Sequence, residues 1–162
     1  MKYYIGIDPG AKGFVSVIDE TGKFVEAFPL CPDIKVVDET VVSLQLQKLW
    51  QYEDNCHVII EDVHSIHGSS AASNFSFGCI FGMIRGIIVT LGMPYTKVAP
   101  KTWQKIMHQG VSKMDDKKKM SFVAVHRIFP TVELKRTKRC TTEDDNFADS
   151  LLMAEYGRRK NF

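Results

Sequence analysis

The stretch Thr141-Thr142-Glu143-Asp144-Asp145-Asn146-Phe147-Ala148-Asp149-Ser150-Leu151-Leu152-Met153-Ala154-Glu155-Tyr156 constrains the fold more than any other in the chain. Its apolar residues recur at helical spacing, so a helix is expected over 143–158, with Leu152, Met153 and Tyr156 facing a core. Asp145 and Asp149 stand four residues apart, which puts them on one helical face, roughly 5–6 Å apart at Cβ. Stability alone disfavours that pairing, because like charges repel. Asp149 also sits at the edge of the apolar row, where a carboxylate costs free energy unless something pairs it. A divalent cation is the natural partner, since hard cations take carboxylate oxygens. Acids after the Thr141-Thr142 cap are ordinary helix-start chemistry. That accounts for Glu143, Asp144 and Asp145, but not for Asp149, a full turn deeper.

Two further acids stand where an α/β sheet exposes its chemistry. The run Tyr3-Tyr4-Ile5-Gly6-Ile7-Asp8 is β-prone, ends on an acid and is followed by the Pro9-Gly10 turn. Apolar runs resume at Phe14–Ile18 and, after Gly22, at Phe24–Phe28, which predicts a three-stranded meander. His57-Val58-Ile59-Ile60-Glu61 reads as a buried strand that again ends on an acid. In open α/β sheets, clefts form at the carboxyl ends of the strands. Strands are expected near 2–8, 14–19, 23–29, 57–61 and 94–98. Helices are expected near 38–52, 72–91, 100–108, 115–128 and 143–158. In the first helix the apolar row is Val41, Leu44, Leu46 and Leu49, with Trp50 beside it. Segment 109–116 and the basic stretch Thr131–Thr142 are expected as loops.

At 162 residues one domain with a substantial core is expected. The charge is divided along the chain. From Lys97 onward there are 15 Lys/Arg against 8 Asp/Glu, while the first 96 residues hold 6 against 11. Basic residues cluster at Lys117-Lys118-Lys119 and at Lys135-Arg136-Lys138-Arg139, a pattern suited to a phosphate backbone. Arg158-Arg159-Lys160 is better read as a basic helix C-terminus. Cys31, Cys56, Cys79 and Cys140 form no C-x-x-C pair and read as reduced thiols of a cytoplasmic protein. Asp8 and the turn after it interrupt the first apolar stretch, so no secretory leader is expected there.

Helix 72–91 carries Gly78, Gly82 and Gly86 on one stripe. Each costs about 0.8–1 kcal/mol relative to alanine, so close approach of another backbone is the expected reason. The segment is apolar, but Arg85 interrupts it and its length is marginal for a membrane span. No membrane association is expected.

Ile5-Gly6-Ile7-Asp8-Pro9-Gly10, Ile59-Ile60-Glu61, Val98-Ala99-Pro100-Lys101-Thr102-Trp103 and Ala148-Asp149-Ser150-Leu151-Leu152, in that order, resemble the blocks of RuvC-type Holliday junction resolvases. These belong to the ribonuclease-H-like nuclease superfamily. The resemblance spans essentially the whole chain. It implies an α/β fold with a mixed five-stranded sheet flanked by helices, in a single nuclease domain over 1–162. It also implies a homodimer that cuts four-way and other branched DNA by paired phosphodiester hydrolysis. Two Mg²⁺ ions per site, with Mn²⁺ as substitute, would be held by Asp8, Glu61, Asp145 and Asp149. In many family members the last two acids lie three residues apart, which leaves Asp144, Asp145 and Asn146 as alternatives beside Asp149.

The same resemblance makes Lys118 a catalytic candidate, within a run in which Lys117 and Lys119 are equally open, and Lys105 a further one. It places His64 where cellular members carry an aromatic that inserts at the branch point. His67 follows in the same loop; without two more ligands, His64 and His67 do not form a zinc site. DNA contacts are expected from His64, His67, Lys105, Lys117, Lys118, Lys119, Arg136 and Arg139. Gly78, Gly82 and Gly86 are expected at a two-fold dimer interface or, alternatively, packed against the chain's own sheet. Three other readings remain at this stage. One is a less selective ribonuclease-H-like nuclease on other branched DNA or RNA–DNA hybrids. Another is an actin-like or kinase-like ATP-binding domain built on Asp8-Pro9-Gly10, and the last is a non-catalytic DNA-binding module.

Overall fold

The computed structural model describes residues 1–32, 38–64, 68, 70–112, 114 and 116–162, with the Lys117 side chain left aside. The meander forms as expected: β1 (Tyr3–Asp8), β2 (Phe14–Asp19) and β3 (Phe24–Pro29) are antiparallel neighbours. Helix α1 (Glu39–Gln47) and a 3₁₀ segment (Lys48–Asn55) lead into β4 (Cys56–Glu61), which lies parallel to β1. Helix α2 (Ala71–Thr90) crosses to β5 (Tyr95–Val98), which is parallel to β4. Helices α3 (Pro100–Met107), α4 (Lys117–Ile128) and α5 (Asp145–Lys160) follow. The mixed sheet has the order β3-β2-β1-β4-β5, so β1 is its centre.

Strand periodicity divides the interior into two layers. Ile5 and Ile7 of β1 and Val58 and Ile60 of β4 join Val42, Leu46, Ile80, Ile84 and Ile88 on the α1/α2 face. Tyr4 and Ile59 join Trp103, Leu151, Leu152 and Tyr156 on the opposite face, under α5. Asp8 keeps step with Tyr4 and Gly6, and Glu61 with Ile59. Both acids therefore leave their strands on the α5 face.

Helix α5 lies directly on β1. A Cβ at Gly6 would overlap the Ser150 carbonyl, so only glycine admits that approach. The hydroxyls of Ser16 and Ser150 bond at 2.6 Å in the interior, tying α5 to β2 as well.

Two expectations about helices need correction. The single helix expected over 38–52 is α1 followed by the 3₁₀ segment. The face it buries is Val42, Leu46, Leu49 and Tyr52, while Leu44 and Trp50 are each 57% exposed. Helix α5 starts at Asp145, and its cap is Asp144 rather than a threonine. The Asp144 carboxylate accepts the backbone N–H groups of Asn146 and Phe147, the ordinary N-cap arrangement.

By length and composition α2 is apolar enough to cross a membrane, with a mean hydropathy of 1.4. In the fold, Ile80, Ile84 and Ile88 pack into the core. Arg85 lies over the Phe81 ring, 5.5 Å from its centroid. All four cysteines are free thiols.

Candidate active site

Asp8 and Glu61 are neighbours because their strands are. Ile7 is in register with Ile60, so the next residue on each parallel strand is an acid. Adjacent strands lie about 4.8 Å apart. The Glu61 backbone is pinned from the other side, where it pairs with Val98 of β5 and the N–H of Asp62 donates to the Val98 carbonyl at 2.8 Å. Because Ser150 sits on Gly6, the preceding turn of α5 brings Asp149 and Asp145 to the end of β1.

The electrostatics show four acids acting on one another. Burial pushes the Asp8 carboxyl well above the usual carboxylate range, and Glu61, Asp149, Asp145 and Asp144 add to the rise. Burial raises Asp149 to about 7, with Glu61 and Asp145 contributing and a hydrogen bond from Ser121 opposing. Glu61 is raised by burial and partly relieved by the Trp103 indole N–H, which donates to Oε1 at 3.0 Å. Asp149 Oδ1 is buried with no hydrogen-bond partner among the described residues.

Of the three residues left open before Asp149, Asp144 and Asp145 both add to the rise at Asp8, and Asp145 is the one that is not the α5 cap. Asp144 caps α5 and pairs with Arg136 Nε at 2.6 Å, and the Asn146 amide donates back to Asp144. Asp145 is one-third exposed and pairs with the Lys118 ammonium. That pairing holds Lys118 protonated above its ordinary range, the hydrogen bond to Asp145 being the main cause. Lys118 reaches the acids because Asp116 caps α4, accepting the backbone N–H groups of Lys118 and Lys119.

Among the described residues no three His, Cys, Asp or Glu groups already converge tightly enough to hold an ion. The donor set nonetheless suits a hard divalent cation. It is all oxygen, its acids raise one another, and among the described residues one buried oxygen lacks a donor.

A cavity of about 600 Å³ opens beside Asp8 and Glu61. Pro9, Val63, Phe77, Ala99 and Pro100 form its apolar wall, with His64, Lys101 and Gln104 as polar neighbours. His64 thus lines the same cavity as Asp8 and Glu61, whereas His67 lies outside the described residues. Lys105 points to solvent from α3, and Lys101 and Gln104 take the cavity side instead. Lys119 and Arg139 are exposed.

Arg136 does not present itself to solvent as a phosphate ligand. It lies over the Phe14 ring at 5.3 Å and bonds Asp144 and the Lys12 carbonyl, bracing the α5 cap against the meander. Gly78, Gly82 and Gly86 are not packed on the chain's own sheet, because no described residue beyond their own helix lies within 4 Å of a Cβ built at any of them. Their face of α2 opens outward, with Phe75 and Val89 75% and 61% exposed. Trp103 stands in a motif block but its bond to Glu61 is not legible there, and no local pattern announces Ser121 beside Asp149 or Gln104 in the cavity wall.

Taken together, the sheet order, the position of α5 and the strand-end acids define a ribonuclease-H-like fold. Two solved structures of RuvC from Thermus thermophilus share it. The structure in complex with a Holliday junction substrate matches with a TM-score of 0.70 and 14% identity, over 99% of this chain and 96% of that one. A second RuvC structure matches with a TM-score of 0.66 and 18% identity, over 98% and 96%. No family model and no curated protein matches the sequence.

Proposed function

We propose that the chain is a metal-dependent endonuclease of the RuvC type, which resolves four-way and other branched DNA junctions by hydrolysing paired phosphodiesters. The observation that carries the reading is the convergence of Asp8, Glu61, Asp145 and Asp149, from two strand ends and one helix, beside the basic start of α4. The fold shared with a RuvC bound to junction DNA supports it. An ATP-binding domain built on Asp8-Pro9-Gly10 accounts less well for Asp145 and Asp149, two helical acids that act on Asp8.

The four carboxylates would hold two Mg²⁺ ions, or Mn²⁺ in their place, supplying Lewis-acid stabilisation of the attacking and leaving oxygens. The chain's own residues do the rest. Asp8, central in the sheet, aligns the acids around the scissile phosphate. Lys118 is held protonated at the rim, where its ammonium faces charge building on that phosphate. Lys119, Lys101 and Arg139 extend the positive surface along the DNA backbone. His64 offers a planar ring at the mouth of the cavity for stacking on a base.

A four-way junction is two-fold symmetric, and paired nicks need two matched sites. A homodimer meets that need through symmetry alone. The outward apolar face of α2, with its open glycine stripe, fits a second copy of the same helix. The protein would act on DNA in the cytoplasm.

The test is to incubate the protein with labelled four-way junction, flap, RNA–DNA hybrid and duplex, with and without Mg²⁺. Junction cleavage that needs Mg²⁺ is expected. Asp8→Asn is expected to abolish cutting while junction binding persists or tightens, because carboxylate–phosphate repulsion is relieved. Near-unaltered cutting by Asp8→Asn would refute the assignment, and preferential cutting of the hybrid would redirect it to a ribonuclease-H activity.

A further inference from the structure

Glu61 is held at both ends by the β5–α3 junction. Its backbone pairs with Val98, the last residue of β5. One residue later Ala99 caps α3, with Pro100 in its first turn, and the first full turn of that helix carries Trp103 back over the end of β4. The Trp103 side chain is fully buried. Its ring lies edge-on to His108, at 6.0 Å between centroids and 77° between planes. Its indole N–H donates to Glu61 Oε1 at 3.0 Å.

We propose that Trp103 is a positioning residue for Glu61: its indole N–H locks one carboxylate oxygen and leaves the other aimed at the cation site. This inference rests on the metal-dependent nuclease reading. Indole is a donor only, so it neither ligates a cation nor competes for a proton. A buried ring has little rotational freedom, so the hydrogen bond fixes the rotamer of a side chain that otherwise has three rotatable bonds. Partners of this kind orient metal-binding carboxylates and typically contribute roughly 10–100-fold to metal affinity. A buried indole seeks some acceptor in any core. What sets this one apart is the acceptor, one of the four acids of the site, on a strand end whose backbone the same junction already holds.

The experiment uses the full chain with Trp50→Phe, which leaves Trp103 as the sole indole. Trp50 is 57% exposed and lies outside the site. Two measurements are made. The indole ¹H–¹⁵N NMR signal is followed in this protein and after Glu61→Gln, which keeps an acceptor but removes its charge. Mn²⁺ affinity is measured by calorimetry for the unmodified chain, Trp103→Phe, Glu61→Gln and the double variant.

The expected results are a displaced indole signal after Glu61→Gln and Mn²⁺ binding about tenfold weaker in Trp103→Phe. The loss should vanish when Glu61 is already Gln, a coupling that a general packing defect would not produce. The NMR arm leaves Trp103 in place, so it reports the contact even if Trp103→Phe folds poorly. An unmoved indole signal, or an equal Mn²⁺ loss with and without Glu61, overturns the inference while the nuclease reading stands. Failure of the unmodified chain to bind Mn²⁺ overturns both.

Discussion

Asp149→Asn is expected to stabilise the metal-free protein while disabling it, and the size of the effect follows from the site. The Asp149 carboxyl is carried from an ordinary 3.8 to about 7, by burial first and then by Glu61 and Asp145. A raised acid binds its proton more tightly in the folded than in the unfolded chain, so stability falls as pH rises from about 4 to about 7 and stays reduced above. Full ionisation at this site corresponds to about 4 kcal/mol as an upper bound. Relaxation of the site and water entry reduce this, so a gain of about 1–3 kcal/mol is expected from Asn at about pH 8. That corresponds to roughly 3–9 °C in Tm for a domain of this size. The gap should narrow as pH falls and close only below the ordinary 3.8, where Asp149 is protonated in both states; at about pH 5 a smaller gain remains. Adding Mg²⁺ at about pH 8 should raise the Tm of the unmodified chain and leave that of Asp149→Asn nearly unchanged. The assay is thermal melting at both pH values, in EDTA and in Mg²⁺. A variant that melts lower than its parent at both pH values would refute the reasoning, since the buried carboxylate would then be a net support of the fold.

Asp145→Asn should reduce cleavage far more than it alters stability. Asp144→Ala should do the reverse, costing roughly 1 kcal/mol or more of stability for the lost cap, read from urea melts. Replacing Lys117, Lys118 and Lys119 together by Ala should weaken junction binding and flatten its dependence on log salt by roughly 0.9 per lost phosphate contact; an unchanged slope would return the run to solvated surface. Gly82→Leu meets open space within one chain, so it should leave the monomer folded. Sedimentation should show dimer giving way to monomer, with paired nicking lost and single nicks surviving; a dimer that persists would move the interface elsewhere.

Most of the sheet was legible because each strand is short, β-prone and bounded by a turn or an acid, as at Gly22 and Asp8. The acids followed from chemistry: Asp149 made no sense in a helix unless something compensated it. What escaped depends on tertiary geometry. Val41 and Leu44 fit an apolar row as well as Val42 does, and only docking on the core decides that Val42 and Leu46 are buried; after Gln47 the 3₁₀ winding carries the buried face on to Leu49 and Tyr52. Asp144 and Asp145 are adjacent and chemically alike, and only the cap geometry tells them apart. Arg136 sits in a basic run, yet its fate is set by Phe14 and Lys12, more than a hundred residues away. Trp103 of α3 could be read as a motif residue, but its acceptor lies at the end of β4.

The contact between Gly6 and Ser150 gives the molecule a datum plane. Helix α5 is seated on β1 main chain to main chain, with no side chain between them to act as a shim. Most positions in a protein absorb a substitution by letting side chains give way, and here there is nothing soft to compress. A methyl group at Gly6 would lift α5 bodily and separate Asp149 from Asp8, although neither acid had been touched. The tolerances of the active site are thus machined into the backbone. A substitution map of the chain should show Gly6 as intolerant as the acids themselves, for reasons of fit rather than chemistry.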